Sequence, residues 1–132
     1  MIIGHLAISV LEHHYLDADW VPVMVGGLFP DAVDKTVCQI LRLSPYGRLW
    51  GHTVLGLGLT TAVVGAVRGK RAARGWALGY AGHLLADLEG PVPLLFPFTT
   101  YNPAPSPSIR ETLINFIRDP KDLLPELILV IW

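Results

Sequence analysis

The run Gly79-Tyr80-Ala81-Gly82-His83-Leu84-Leu85-Ala86-Asp87 constrains the fold of this chain more than any other stretch. An imidazole and a carboxylate stand four residues apart in an otherwise apolar, helix-compatible sequence. A helix stacks them on one face, one turn apart. A helix this apolar turns inward, and an unpaired carboxylate buried with it is very costly. Whatever packs around Asp87 must bring it a cation or hydrogen-bond donors. His5, Asp31 and His52 lie in similarly apolar settings and carry donor atoms of the same kind. Together with His83 and Asp87 they form a five-residue candidate metal site.

Composition bounds the rest. At 132 residues the chain is read as one domain with room for a core. Charged residues make up only 16% and hydrophobic residues 52%, so the chain is greasier than an ordinary soluble domain. A net charge of −1 and one short basic cluster, Arg68 to Arg74, argue against a nucleic-acid partner. That cluster suits either anionic lipid headgroups or a solvated loop. Cys38 is the single cysteine, which excludes an internal disulfide and reads as a packed core thiol. Leu49 to Val67 carries no formal charge and approaches the length of a spanning helix, although it includes His52 and several glycines. The N-terminus lacks a basic region, so no cleaved signal is expected. Trp20, Trp50, Trp76 and Trp132 fall near predicted helix ends, as interfacial or as buried tryptophans do. Membrane association and a soluble core are both compatible with these features.

The periodicity predicts an all-α, single-domain helical bundle over residues 1–132. The first helix runs from Ile2 to Tyr15. Asp17 to Asp19 form a turn before a second helix over Val21 to Phe29. Pro30 is expected to interrupt that helix, with Asp31 capping a further one to Leu43. After the turn at Ser44 to Gly47, helices are expected over Arg48 to Arg68 and Ala72 to Asp87. Residues 89–108 form a proline-rich, irregular connection whose apolar content points to packing. Ser108 then caps a helix over Ile109 to Arg118, and Asp119-Pro120 opens a last one ending in Leu127 to Trp132.

Taken singly, each candidate ligand has a plainer explanation. A histidine on an apolar helix is often a hydrogen-bonded core residue, and Asp31 after a proline reads as a cap. His52 can bond a nearby carbonyl, and His13 and His14 read as a solvated patch beside Glu12 and Asp17. Taken together, four helical segments each contribute a nitrogen or oxygen donor, which is how a helical bundle assembles a metal site. Without a thiolate ligand, the set suits zinc, manganese or ferrous iron, as one or two ions. An ion with an open position activates water, so hydrolysis is the expected chemistry. Glu12, Asp34 and Glu89 are the carboxylates close enough in sequence to act as base or to orient a ligand. Each has a plainer reading as a surface or capping residue. Arg48, one helical turn before His52, can fork onto a phosphate or carboxylate oxygen.

In order along the chain, Gly4-His5-Leu6, Phe29-Pro30-Asp31, Arg48-Leu49-Trp50-Gly51-His52-Thr53, the Gly79 to Asp87 helix and Gly90-Pro91-Val92-Pro93-Leu94-Leu95-Phe96-Pro97 resemble the motifs of the bacterial inner-membrane metal-dependent hydrolases. The likeness covers about residues 4 to 98. More distantly, the ligand order is similar to the zinc-dependent phospholipase C fold, a bundle holding metals between helices. The resemblance implies that His5, Asp31, His52, His83 and Asp87 ligate metal. The chain departs from the family pattern at Gly47, where a histidine is usual, and at Gly51, where a threonine is usual. The second aspartate of the Pro-Asp segment is displaced by one, to Asp34. No histidine follows His83, which argues against a three-metal centre. The expected function is a metal-dependent hydrolase of a phosphoester or lipid-like ester, with Arg48, Glu12 and Asp34 as candidate catalytic residues. The alternative is a non-catalytic, membrane-associated helical protein with a structural polar or metal network. A small-molecule or lipid-like substrate is the expected partner, and the sequence leaves the oligomeric state open.

Overall fold

The computed structural model describes residues 2–102 together with Pro105, Glu111 and Ile114, and over these residues the protein is helical. The α-helices in chain order are α1 (Ile2–Leu16), α2 (Trp20–Lys35), α3 (Val54–Arg68) and α4 (Lys70–Ala86). A π-helical turn at Thr36–Ile40 extends α2, and 3-10 turns at Trp50–His52 and Asp87–Glu89 precede α3 and follow α4. Tyr46 and Pro105 form an isolated antiparallel bridge. The helices expected over 109–118 and beyond Asp119 lie outside the described residues, except for Glu111 and Ile114, which are helical.

α4 is the central element, packing on α1, α2 and α3. Trp76, Tyr80 and Leu84 recur every fourth residue along one face and form the buried core, joined by Phe29, Leu57, Val64 and Leu94. Burying a side chain of this size contributes about 2 kcal/mol. The polar ends are satisfied: Trp76 Nε1 donates to Thr60 Oγ1 at 3.0 Å, and Tyr80 OH donates to the Gly51 carbonyl at 2.7 Å. α1 is tied to the rest by Arg74, whose Nη2 donates to the Leu16 carbonyl at 2.9 Å. Asp19, at the start of α2, pairs with Arg71 at 2.8 Å instead of capping its own helix.

α2 and α4 touch backbone to backbone. A Cβ on Gly79 would lie 1.9 Å from the Val23 carbonyl oxygen, and one on Gly26 would lie 2.4 Å from that of Trp76. Only glycine permits this crossing, the same device by which small residues bring helices together in apolar media.

Two element boundaries and the setting of Cys38 differ from the sequence expectation. α2 does not stop at Phe29 but runs through Pro30 to Lys35, so Asp31 is no cap; it lies mid-helix and pairs with Lys35 one turn on. A proline inside a helix costs about 3 kcal/mol, which the packing of α2 on three neighbouring elements offsets. The third helix begins at Val54, not Arg48, with Thr53 as its N-cap: Thr53 Oγ1 accepts from the Gly56 N–H at 2.8 Å. Cys38 is half-buried in the π-helical turn rather than packed in the core.

No helix among the described residues is long and apolar enough to cross a membrane. α3 has no fully buried residue, and Leu59, Val63 and Val67 on it are exposed. Trp20 and Trp50 are also exposed, Trp76 is buried, and Trp132 lies outside the described residues. The proline-rich stretch is irregular over 91–102, and the Val54 N–H donates to Leu94 O at 2.9 Å.

Gly79→Ala is expected to destabilise the protein by about 2 kcal/mol or more, since overpacking here meets backbone. Gly58→Ala, whose Cβ meets nothing within 4 Å, is expected to stabilise by about 0.5–1 kcal/mol. Denaturation of both variants in one detergent checks this, and equal effects would refute the backbone contact.

Candidate metal centre

All five expected ligands converge at one end of the bundle. α1 supplies His5, α2 supplies Asp31, the turn before α3 supplies His52, and α4 with its following turn supplies His83 and Asp87. The three imidazoles are 0–3% exposed and Asp87 is 8% exposed, so water cannot satisfy them fully. His52 Nε2 lies 3.2 Å from His83 Nε2, 3.1 Å from Asp87 Oδ2 and 3.8 Å from Asp31 Oδ1. His5 Nε2 lies 3.6 Å from Asp87 Oδ1, and the His5 ring stacks on that of His83 at 3.9 Å. Two trios, His5 with His83 and Asp87 and Asp31 with His52 and His83, offer one ligand atom each within 4.8 Å of one another. Ligand atoms bonded tetrahedrally to one ion at about 2.0–2.1 Å sit about 3.3 Å apart. The His52 contacts with His83 and Asp87, at 3.2 and 3.1 Å, are of that size, and those of Asp87 with His5 and His83 and of Asp31 with His52 are longer, at 3.6–3.9 Å.

Residues behind the ligands fix their orientation. Asp34, 1% exposed, accepts from His52 Nδ1 at 2.7 Å and from the Gly51 N–H at 2.9 Å, and it also accepts from the Leu49 N–H. His83 Nδ1 donates to the Gly27 carbonyl at 2.7 Å, because a carbonyl can only accept. Both rings therefore aim Nε2 into the cluster. Carboxylates and carbonyls behind metal-binding histidines set the tautomer in this way. Lys35 pairs with Asp31, and Arg48 Nε donates to Asp87 Oδ2 at 3.1 Å.

The electrostatics follow from burial and neighbours. Burial and the adjacent His83 press the His5 imidazole down to about 4, and burial also lowers His83, so both rings are neutral at pH 7. Burial alone would lower His52, but its hydrogen bonds to Asp34 and Asp87 outweigh that and raise it. Burial opposes the charge on Asp31 and Asp87 as well. The hydrogen bond from Lys35 nevertheless holds Asp31 below its ordinary value, and those from His52 and Arg48 hold Asp87 well below.

The other candidates are placed differently. Arg48 is about one-third exposed at the rim, and Asp34 stands behind His52. Glu12 forms no described ion pair or hydrogen bond with the five ligands. Its carboxylate packs on Gly82, Oε2 is buried without a hydrogen-bond partner among the described residues, and burial pushes the group up to about 7. The side chain of Glu89 lies outside the described residues. His13 is exposed, with Nδ1 2.6 Å from the Ala18 carbonyl oxygen, and His14 is exposed too. Gly51 replaces the threonine of the resembled motif for a visible reason: a Cβ there would lie 2.6 Å from the Pro30 carbonyl oxygen. Sequence reasoning missed Lys35, although its position four residues after Asp31 was a usable signal. It also missed the Gly27 carbonyl, for which a sequence carries no sign.

Over the described residues the fold and site thus define a helical protein with a buried histidine–aspartate cluster and many exposed apolar side chains. The model of the YdjM inner membrane protein family matches residues 1–129, and the chain belongs to that family. Membership supports the membrane association that composition allowed. No curated protein and no solved structure matches the chain.

The Glu12 carboxyl keeps its proton to about pH 7 in the native protein, whereas its ordinary value is 4.5. Stability therefore falls as pH rises between those values, and the loss is complete above the native one. Glu12→Gln is expected to stabilise the protein by about 1 kcal/mol at pH 8, allowing for partial solvation, with no gain at pH 4. Melting curves at the two pH values check the sign.

Proposed function

We propose that the protein is a metal-dependent hydrolase of phosphoesters or lipid-like esters, with His5, Asp31, His52, His83 and Asp87 as its ligand set. The observation that carries this reading is the meeting of His52 Nε2 and His83 Nε2 at 3.2 Å, each ring held from behind at Nδ1. Two such nitrogens beside two carboxylates form a donor set suited to zinc first, and to manganese or ferrous iron next. A bound divalent ion supplies a coordinated water with a pKa near about 7 and a Lewis acid for the substrate oxygen. In this reading Asp34 orients His52, and Arg48 meets an anionic substrate oxygen at the rim.

A second reading is favoured by the raised His52. Protonated, its Nε2–H can donate to Asp87 Oδ2 at 3.1 Å and to His83 Nε2 at 3.2 Å, forming a closed polar network without metal. The protein would then be a non-catalytic membrane-associated bundle.

Metal content by plasma mass spectrometry separates the two. Near-stoichiometric zinc, manganese or iron is expected in the wild type and none in His83→Ala/Asp87→Ala. Absence of metal in both after reconstitution, at equal stability, would sink the hydrolase. Zinc binding is expected to displace the His52 proton, so affinity weakens as pH falls through the raised His52 value. Calorimetry in buffers of different ionisation enthalpy reads that proton directly. Asp34→Asn is expected to weaken zinc binding by about 10–100-fold. Chelation is expected to abolish any phosphoesterase or esterase activity found in the loaded protein.

A further inference from the structure

Beside the cluster lies an apolar pocket of about 230 Å³, lined by Tyr46, Leu49, Trp50, Pro93 and Phe96 and bordered by Arg48. Arg48 is the same residue that donates to Asp87, and its guanidinium rests on Gly90, where a Cβ would lie 2.5 Å from Nη1. The pocket and the ligand cluster thus share one cationic side chain. Trp50 meets Phe96 edge-on at 5.6 Å, and the two form a wall that is 58% and 38% exposed respectively. Phe96 also lines a second apolar groove of about 330 Å³, with Leu55, Leu59, Leu94 and Phe98, which opens along the exposed side of α3. Phe96 therefore stands between the two, with the α3 groove on one side and the pocket bordered by Arg48 on the other.

Charge decides what can sit at the inner end. Asp31, Asp34 and Asp87 are offset by Lys35 and Arg48 to within a single negative charge. A divalent ion makes the cluster net positive, so an anionic group becomes a favourable occupant beside the Arg48 fork. A neutral ester leaves that cationic rim unused. A free inorganic anion leaves the apolar walls unused.

We propose that the pocket bordered by Arg48 is a subsite for an amphiphile with a phosphate head, whose hydrocarbon chain lies against Trp50 and Phe96 and enters along the α3 groove. This rests on the metal-dependent reading above and narrows its substrate class to phosphate-headed lipid-like molecules. Arg48 contacts the head, while Trp50 and Phe96 select for chain length.

The test uses full-length, zinc-loaded protein in a nonionic detergent, with binding measured by calorimetry. The probes are inorganic phosphate and butyl, hexyl and octyl phosphate. Affinity is expected to rise about three- to fourfold per added methylene in the wild type. In Phe96→Ala most of that dependence is expected to disappear while inorganic phosphate binds as before. Phe96 is partly exposed, so this variant is expected to fold, and an unchanged melting curve checks that it has. Partition of the longer probes into micelles affects both proteins equally and cancels in the comparison. If all four probes bind alike, or the chain-length dependence survives in Phe96→Ala, the subsite is overturned and the metal centre stands. Failure of every phosphate to bind protein shown to hold zinc also overturns it. Failure to load zinc at all removes the metal reading itself, and this proposal falls with it.

Discussion

Asp34 is the group on which the arrangement of this protein turns. A carboxylate 1% exposed persists only because His52 and the N–H groups of Leu49 and Gly51 all donate to it. Those donors belong to one short segment, so compensating the charge dictates the backbone from residue 49 to 52. The segment cannot continue smoothly into α3. It makes a 3-10 turn, Thr53 restarts the helix, and the turn delivers His52 with its ring already aimed. The cost of one buried charge is thereby converted into the orientation of a candidate ligand.

The crossing of α2 and α4 performs the complementary task for His83. Glycines at 26 and 79 let the two backbones meet, and the approach brings the Gly27 carbonyl against His83 Nδ1. Ser9 of α1 closes over Gly27, where a Cβ would lie 2.3 Å from its Oγ. Three helices are locked around the histidine–aspartate cluster by atoms outside it. Such rigidity from packing and backbone is what a preorganised site requires.

Much of this was legible because polar residues in apolar runs are expensive and must have partners. The His83–Asp87 spacing announced a buried face of α4, and the same reasoning linked His5, Asp31 and His52, which the fold gathers from separate segments. The failures have physical causes. Pro30 reads locally as a stop, but α2 has enough tertiary contact to absorb it, and that contact is invisible in sequence. The start of α3 departs from the sequence expectation because its displacement comes from Asp34, fifteen residues upstream of Leu49. Glu12 shares the helical face of His5 and Ser9, yet two further turns carry its carboxylate to Gly82 rather than to the cluster. Helix periodicity places a side chain on a face without saying how far along that face the site extends.

His83 belongs to both trios of potential ligand atoms, and its Nδ1 is committed to the Gly27 carbonyl. It therefore has a single lone pair to offer, directed from Nε2. Two ions could not each take that lone pair, so the two trios would compete for His83 if both were occupied. Any ion held there would meet the His83 nitrogen as the one donor common to both trios, with Asp87 on one side of it and Asp31 on the other.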